Sequence, residues 1–209
     1  MRIASCFCGT ALAAVILSTG VARLDRGAAT VRTSAREANA TLATLSGESL
    51  YQLGSTWTND RGEPLKLVTL AGAPEVVAMV YTRCTSLCPL LVHDLKSMDR
   101  AIPGGARQRT RYVLVSMDPG HDTPAALAAY RRHMGLDDDR WTLLRGNESD
   151  TRELAAVLGF AYGKGDGRNY SHSSLVTVLD KGGCIVHQQT SVGADPQRTI
   201  VAIEQSLAR

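Results

Sequence analysis

From Val76 to Tyr81 the chain is apolar without interruption and rich in valine, and from Tyr112 to Met117 it is so again but for Ser116. Runs this short and this apolar suit strands buried on both faces. Other stretches repeat their apolar residues at helical spacing instead. After Pro89, the residues Leu90, Leu91, Leu95 and Met98 form such a stripe and predict a helix to about Ile102. A second helix is expected from Pro124 to about Met134, with Thr123 as N-cap, Pro124 at the first helical position and Gly135 as its stop. A short strand near Trp141–Leu144 precedes a third helix, from about Asp150 to Leu158. Hairpins frame these units. TWTNDRGEPLKL places the turn signal Asn59-Asp60-Arg61-Gly62 between two extended runs, and Lys181-Gly182-Gly183 separates SLVTVLD from CIVHQQ. A last helix is expected over about Pro196–Leu207.

The order is ββ, βα, βα, βα, ββ, α, with no internal repeat or low-complexity segment. Strands alternating with helices predict a largely parallel core covered on both faces. The closing hairpin and helix are arranged as in thioredoxin-like domains. The expected fold class is therefore α/β: a thioredoxin-like fold with a central mixed sheet, helices on both faces and an N-terminal β-hairpin.

Composition changes the picture only at the N-terminus. MRIASCFCGTALAAVILSTGVA carries one charge, Arg2, before the uncharged stretch Ile3–Ala22, which ends in the small-x-small Gly20-Val21-Ala22. This pattern predicts an export signal in residues 1–22 or, left uncut, a membrane tether through residues 3–22. Neither Cys6 nor Cys8 follows an apolar h-region, so a lipoprotein signal is excluded. Residues 23–45 lack aromatics, are rich in Ala, Thr and Arg, and read as a linker to a domain over 46–209. The expected location is outside the cytoplasm, periplasmic or anchored to the inner membrane facing the periplasm. Formal net charge is +3, and +2 without the first 22 residues (22 basic against 20 acidic), which gives no reason to invoke nucleic acid.

Five cysteines divide unevenly. With Cys6 and Cys8 in the targeting segment, Cys84, Cys88 and Cys184 remain. Three thiols in an exported chain are not a disulfide framework. Cys184, beside the last hairpin, is expected to be buried packing. Cys84 and Cys88 stand four positions apart in YTRCTSLCPLL, between a buried strand and a helix N-terminus. Open α/β sheets place their sites at the carboxyl ends of strands, and helix N-termini favour thiolate. The pair can form a disulfide or chelate a soft ion such as Cu(I) or Zn(II), with a third ligand from elsewhere. Thioredoxin-type exchange normally uses one residue less between the thiols.

Histidines narrow the choice of third ligand. His93 reads as a surface helix residue, His133 as a favourable helix C-terminal cation and His187 as a strand residue. His121, in DPGHDTP, sits in a loop on the same edge as the cysteines, either supporting the site or merely exposed. His172, in NYSHSSLV, lies in the loop entering the strand that begins near Ser174. In a thioredoxin-like fold this loop faces the cysteine bend, where oxidoreductases carry a cis-proline. No proline occurs from Gly159 through Leu179. A histidine holds the neighbourhood instead, and imidazole suits copper.

Taken together, YTRCTSLCPLLVHDL, VSMDPGHDTP and NYSHSS resemble the signature of the Sco/SenC family of exported copper-binding proteins, over about Leu45 to Leu207. That signature is C-x-x-x-C-P after a strand, a D-P-x-x-D-T-P loop, and a histidine before a later strand. The resemblance implies a thioredoxin-like metallochaperone that binds copper through Cys84, Cys88 and His172. It also implies a role in maturing the dinuclear copper centre of cytochrome c oxidase, whose copper-accepting subunit, or another exported cuproprotein, is the partner. Asp118 and Asp122 match the acidic loop and are assigned a supporting role, shaping it and orienting a partner. The loop before His172, AYGKGDGRNY, is short and glycine-rich, a departure that bears on partner docking. No catalytic turnover is required. The alternative is a thiol–disulfide oxidoreductase in which Cys84 and Cys88 form the redox pair and keep the acceptor's cysteines reduced. A peroxidase reading fails because VYTRC, despite Arg83, lacks the rest of a peroxidatic context.

Overall fold

A computed structural model of the chain describes residues 49–164 and 170–208. The expected signal or anchor (1–22) and linker (23–45) lie outside the described residues. The N-terminal hairpin is β1 (Thr56–Asn59) and β2 (Pro64–Lys66). The three strand–helix units follow as β3 (Glu75–Val80) with α1 (Leu87–Ala101), β4 (Arg111–Ser116) with α3 (Pro124–Met134), and β5 (Trp141–Arg145) with α4 (Glu148–Leu158). A short helix, α2 (Gly104–Arg109), was not anticipated; its sequence GGARQR has no apolar stripe and none of its residues is buried. A small ribbon of β6 (Tyr162–Lys164) and β7 (Tyr170–His172) comes next, then the hairpin β8 (Val176–Leu179) and β9 (Ile185–Gln189), and finally α5 (Gln197–Ala208).

The main sheet has the order β2-β1-β5-β4-β3-β8-β9. Only β3, β4 and β5 run parallel; both hairpins join antiparallel, so the sheet is mixed and its parallel part is smaller than the alternation of strands and helices suggests. All six residues of β3 are buried: the apolar run Val76–Val80, as its pattern predicts, and Glu75, which that pattern does not include. Full burial of a Val or Met side chain stabilises by about 1.5–3 kcal/mol, so this strand anchors the core. Helices cover both faces. On β9, His187 Nε2 lies 3.1 Å from Thr199 of α5, while Gln188 donates to the Leu158 carbonyl at the end of α4. Adjacent strand residues point to opposite faces, which puts α4 and α5 on opposite sides.

Local signals set the helix ends. The Thr123 hydroxyl accepts from the Ala126 N–H, Pro124 opens α3, and Gly135 closes it in the left-handed region at φ 61°. Asn147 caps α4 and starts it two residues before the expected Asp150. In α1, Leu91, Leu95 and Met98 are buried, but Leu90 is 54% exposed and stands off the core face. Cys184 is half-buried rather than buried. Among the described residues, no helix is long and apolar enough to cross a membrane.

This topology positions the site. Parallel β3 and β4 end side by side at Val80 and Ser116. The bend that follows β3 carries the cysteines and the loop that follows β4 carries Asp118 and Asp122, so both emerge at one edge.

Candidate metal centre

The cysteine bend begins where β3 runs out of partners. Cys84 N–H donates to the Tyr81 carbonyl at 3.1 Å, turning the chain back toward the sheet. Helix α1 then starts with Ser86 at the N-cap, yet the Ser86 side chain makes no capping bond. The Cys84 sulfur serves instead, accepting the Cys88 N–H at 3.3 Å. A sulfur in that place meets the free N–H groups and positive end of the helix. Burial alone would raise the Cys84 pKa. Hydrogen bonds from Cys88, from the Ser86 N–H and from the Tyr81 hydroxyl outweigh it and bring the thiol from 9.0 down to about 7.

Cys88 behaves oppositely. It is 1% exposed, and burial, reinforced by its hydrogen bond to Cys84, drives its pKa well above the ordinary thiol value. The expectation that the helix N-terminus favours both thiolates therefore holds for Cys84 alone. The first turn of α1 points its N–H groups at the sulfur that precedes the helix, while Cys88 lies inside that turn and is desolvated.

His172 reaches the pair from β7. It is a strand residue paired with Tyr162, rather than part of the loop expected before Ser174. Tyr170 and His172 share the half-buried face of β7 while Ser171 between them is exposed. The imidazole lies near-parallel to Phe160 at 6.0 Å and edge-on to Tyr81 at 6.1 Å between ring centroids. Its Nδ1 is 2.8 Å from the Ser173 carbonyl, which can only accept. Nδ1 therefore carries the proton in the neutral ring, and the Nε2 lone pair is free to serve as a ligand. One ligand atom each from Cys84, Cys88 and His172 fall within 4.8 Å of one another. Two soft sulfurs and one imidazole in that compass form a donor set suited to a soft ion.

The other histidines stay apart. His93 and His133 are exposed on α1 and α3, and His187 bonds Thr199. His121 is exposed too, but its Nδ1 is 2.9 Å from both Asp118 Oδ1 and Arg83 Nη2. One nitrogen cannot serve both at once. It donates to Asp118 when it holds the proton and accepts from Arg83 when it does not.

The two aspartates of the acidic loop do different work. Asp122 is fully buried and accepts from the Thr82 hydroxyl and the Ser116 hydroxyl, both at 2.6 Å, and from the Thr82 N–H at 3.2 Å. It pins the residues just before Cys84 to the end of β4. Burial nevertheless raises its pKa above the usual carboxylate value, outweighing those hydrogen bonds. Asp118 accepts from Arg83 at 2.6 Å and from the Tyr170 hydroxyl at 3.0 Å, besides its contact with His121. Burial would raise it, but hydrogen bonds from His121, Arg83 and Tyr170 win and hold it below the ordinary value.

Sequence reasoning missed Tyr170, Tyr81, Thr82 and the structural part played by Arg83. The alternation Tyr170-Ser171-His172 was the available signal, since period two puts the tyrosine and histidine on one face. Arg83 and Tyr170 also border an open cavity of about 460 Å³ that reaches Arg152 and Glu148. Part of the segment read as a glycine-rich loop forms the β6–β7 ribbon; residues 165–169 lie outside the described residues.

Comparison with known proteins bears on this arrangement. The family model described as SCO1/SenC matches residues 48–208. A SCO1 protein homolog from Bacillus subtilis is 25% identical over 101 residues, which is 48% of this chain and 52% of that one. The chain spans about half the length of the curated relatives it matches. Bradyrhizobium japonicum ScoI, solved with copper bound, superposes with a TM-score of 0.61 at 20% identity, over 73% of this chain and 96% of that one. BsSco is described as a member of the Sco family of cytochrome c oxidase assembly proteins with a disulfide switch. It superposes with a TM-score of 0.64 at 22% identity, over 73% and 91% of the two chains. At these identities the structural likeness establishes the fold, which is thioredoxin-like.

Proposed function

The chain belongs to the SCO1/SenC family, and from that premise we propose that it is a copper metallochaperone holding Cu(I) as cargo between Cys84, Cys88 and His172. The observation that carries this reading is the convergence of two sulfurs and one imidazole nitrogen within 4.8 Å, from two segments far apart in the chain. Sulfur and imidazole donors suit Cu(I) by softness, and an S₂N set needs no further protein ligand for a trigonal ion. Copper bound to ScoI of Bradyrhizobium japonicum supports the same choice of metal.

Loading requires both sulfurs as thiolates. Cys84, lowered to about 7, is about half ionised at neutral pH, whereas Cys88 must lose its proton to the metal. Affinity should therefore fall as the solution is acidified. Release proceeds by ligand exchange, in which an incoming thiolate displaces one ligand at a time. His172, on a separate ribbon from the cysteines, is the ligand whose departure disturbs the fold least. The protein acts as a stoichiometric carrier.

The acceptor in this proposal is the dinuclear copper centre of cytochrome c oxidase or another exported cuproprotein, and the assembly role described for BsSco supports it. Export through residues 1–22, to the periplasm or to a tether on the inner membrane, belongs to the same proposal and rests on the pattern of those residues.

One observation favours a second reading. The unequal thiols, Cys84 lowered to about 7 and Cys88 raised and buried, are what an attacking and a resolving cysteine need. A dithiol that reduces the acceptor's cysteines uses the same pair without copper.

Competition between the reduced protein and a Cu(I) chelator separates the two. One tightly held Cu(I) is expected in the parent. It should be lost in Cys84→Ser and Cys88→Ser and weakened by about 100-fold or more in His172→Ala, roughly the scale of losing a metal ligand or its support. Dithiol reductase activity should largely survive in His172→Ala. Copper affinity unchanged in that variant would sink the three-ligand site.

A further inference from the structure

His172 sits on a three-residue strand whose only ladder partner among the described residues is another three-residue strand. Two such strands do not hold a ligand still by themselves. The ribbon nonetheless stands at a defined distance from the cysteines, and two polar side chains connect them: the Tyr81 hydroxyl, which meets both the Tyr170 backbone and Cys84, and the Asp118 carboxylate. Asp118 takes the Arg83 guanidinium, one residue before Cys84, at 2.6 Å. It takes the Tyr170 hydroxyl, two residues before His172 on the same strand face, at 3.0 Å. Its side chain is 3% exposed, and its backbone is fixed in turn by the Ser116 hydroxyl, which accepts the Asp118 N–H at 3.0 Å.

We propose that Asp118 and Tyr170 are positioning residues for copper: their hydrogen bond braces the β6–β7 ribbon so that His172 faces the cysteine pair, while Arg83 fastens the same carboxylate to the cysteine bend. The brace deepens the copper reading and rests on it for its effect on affinity. Charge makes it strong. An ionised carboxylate accepts from Tyr170 and Arg83 out of water, where charge-assisted bonds are about twice as strong as neutral ones. Rings add direction, since Tyr81 lies edge-on to Tyr170 at 5.3 Å and to His172 at 6.1 Å. Losing the Tyr170 hydroxyl leaves the ribbon held to this edge by its Tyr81 contacts, with the imidazole less firmly aimed at the cysteines.

The brace also has an exposed handle. Arg83 is one-third exposed and His121 is exposed, and both touch the Asp118 carboxylate from the solvent side.

Tyr170→Phe is the test, because it keeps the ring and removes only the bond. In the reduced, copper-free protein, the His172 imidazole resonances should shift and broaden in Tyr170→Phe and in Asp118→Asn, with the fold retained. Cu(I) affinity, read by chelator competition, should drop about tenfold in Tyr170→Phe, the scale of one hydrogen bond to a charged group. In a His172→Ala background the same substitution should change affinity less than about twofold, because the brace acts through that ligand. Unchanged His172 resonances, unchanged affinity, or an equal loss in both backgrounds overturns the brace. A parent protein that binds no Cu(I) overturns the functional reading instead, and the resonances still decide whether the brace exists.

Discussion

Two buried carboxylates, Asp99 and Asp118, each collect arginine and a tyrosine hydroxyl, yet they sit in regions built for different purposes. Asp99 on α1 accepts from Arg140 at 2.7 Å, from Arg107 at 2.9 Å and from the Tyr112 hydroxyl at 3.1 Å. Arg140 also donates to the Arg107 carbonyl and is 17% exposed, while Tyr112 is fully buried and stacks on Trp141 at 4.2 Å. The cluster therefore ties α1, α2, β4 and the approach to β5 into one block. Asp118 has similar chemistry, but its partners stand on the cysteine bend, its own loop and the small ribbon, and two of them reach solvent. The difference lies in what the partners are attached to. When they belong to core elements, the cluster spends its interaction energy on cohesion. When they belong to ligand-bearing loops, it sets geometry that can change without unfolding.

That contrast is broken most directly at Asp99. Asp99→Ala leaves Arg140 with Asp138 alone and the buried Tyr112 hydroxyl without its acceptor, and should cost about 2–4 kcal/mol in chemical denaturation. Cu(I) affinity of the folded fraction should stay within about twofold. A small stability loss, or a large change in copper binding, would remove the distinction between the two clusters.

Glu75, at the opposite end of β3 from the cysteines, supplies the limiting case of a buried acid with no partner. It is 1% exposed, both carboxylate oxygens lack hydrogen bonds, and the nearby buried Tyr51 hydroxyl also lacks one. Burial, only partly offset by Arg111, raises its pKa from 4.5 to about 8. The folded state then binds the proton more tightly than the unfolded chain, so stability falls as pH rises from about 4.5 through about 8. Glu75→Gln should flatten that slope and gain on the order of 2–4 kcal/mol relative to the parent between pH 5 and pH 8.5. Parallel denaturation curves for the two proteins across that range would show that Glu75 finds a partner in solution.

The smallest effect tests the site itself. With Cys184 replaced by serine, alkylation of Cys84 should rise through a midpoint near pH 7, and Cys88 should react roughly tenfold or more slowly at that pH. Equal rates would mean that the helix N-terminus and burial do not divide the two thiols.

Much of this molecule was legible one residue at a time. The unbroken run of β3, the Thr123-Pro124 start and Gly135 stop of α3, and the cysteine bend before α1 all follow from neighbours within a few positions. Side-chain period, cap chemistry and backbone preference act over that same range. The structure brings the three ligand candidates into one compass, as the placement of a strand end, a helix start and a later strand on the same edge leads one to expect. Tertiary structure alone decided that His172 lies on a ribbon, that Asp118 reaches Tyr170 across 52 residues of chain, and that Arg83 faces that carboxylate. It also decided that two cysteines four positions apart differ so strongly in acidity. These properties depend on which groups are desolvated and which donors converge in space, and both are fixed only when the chain has packed.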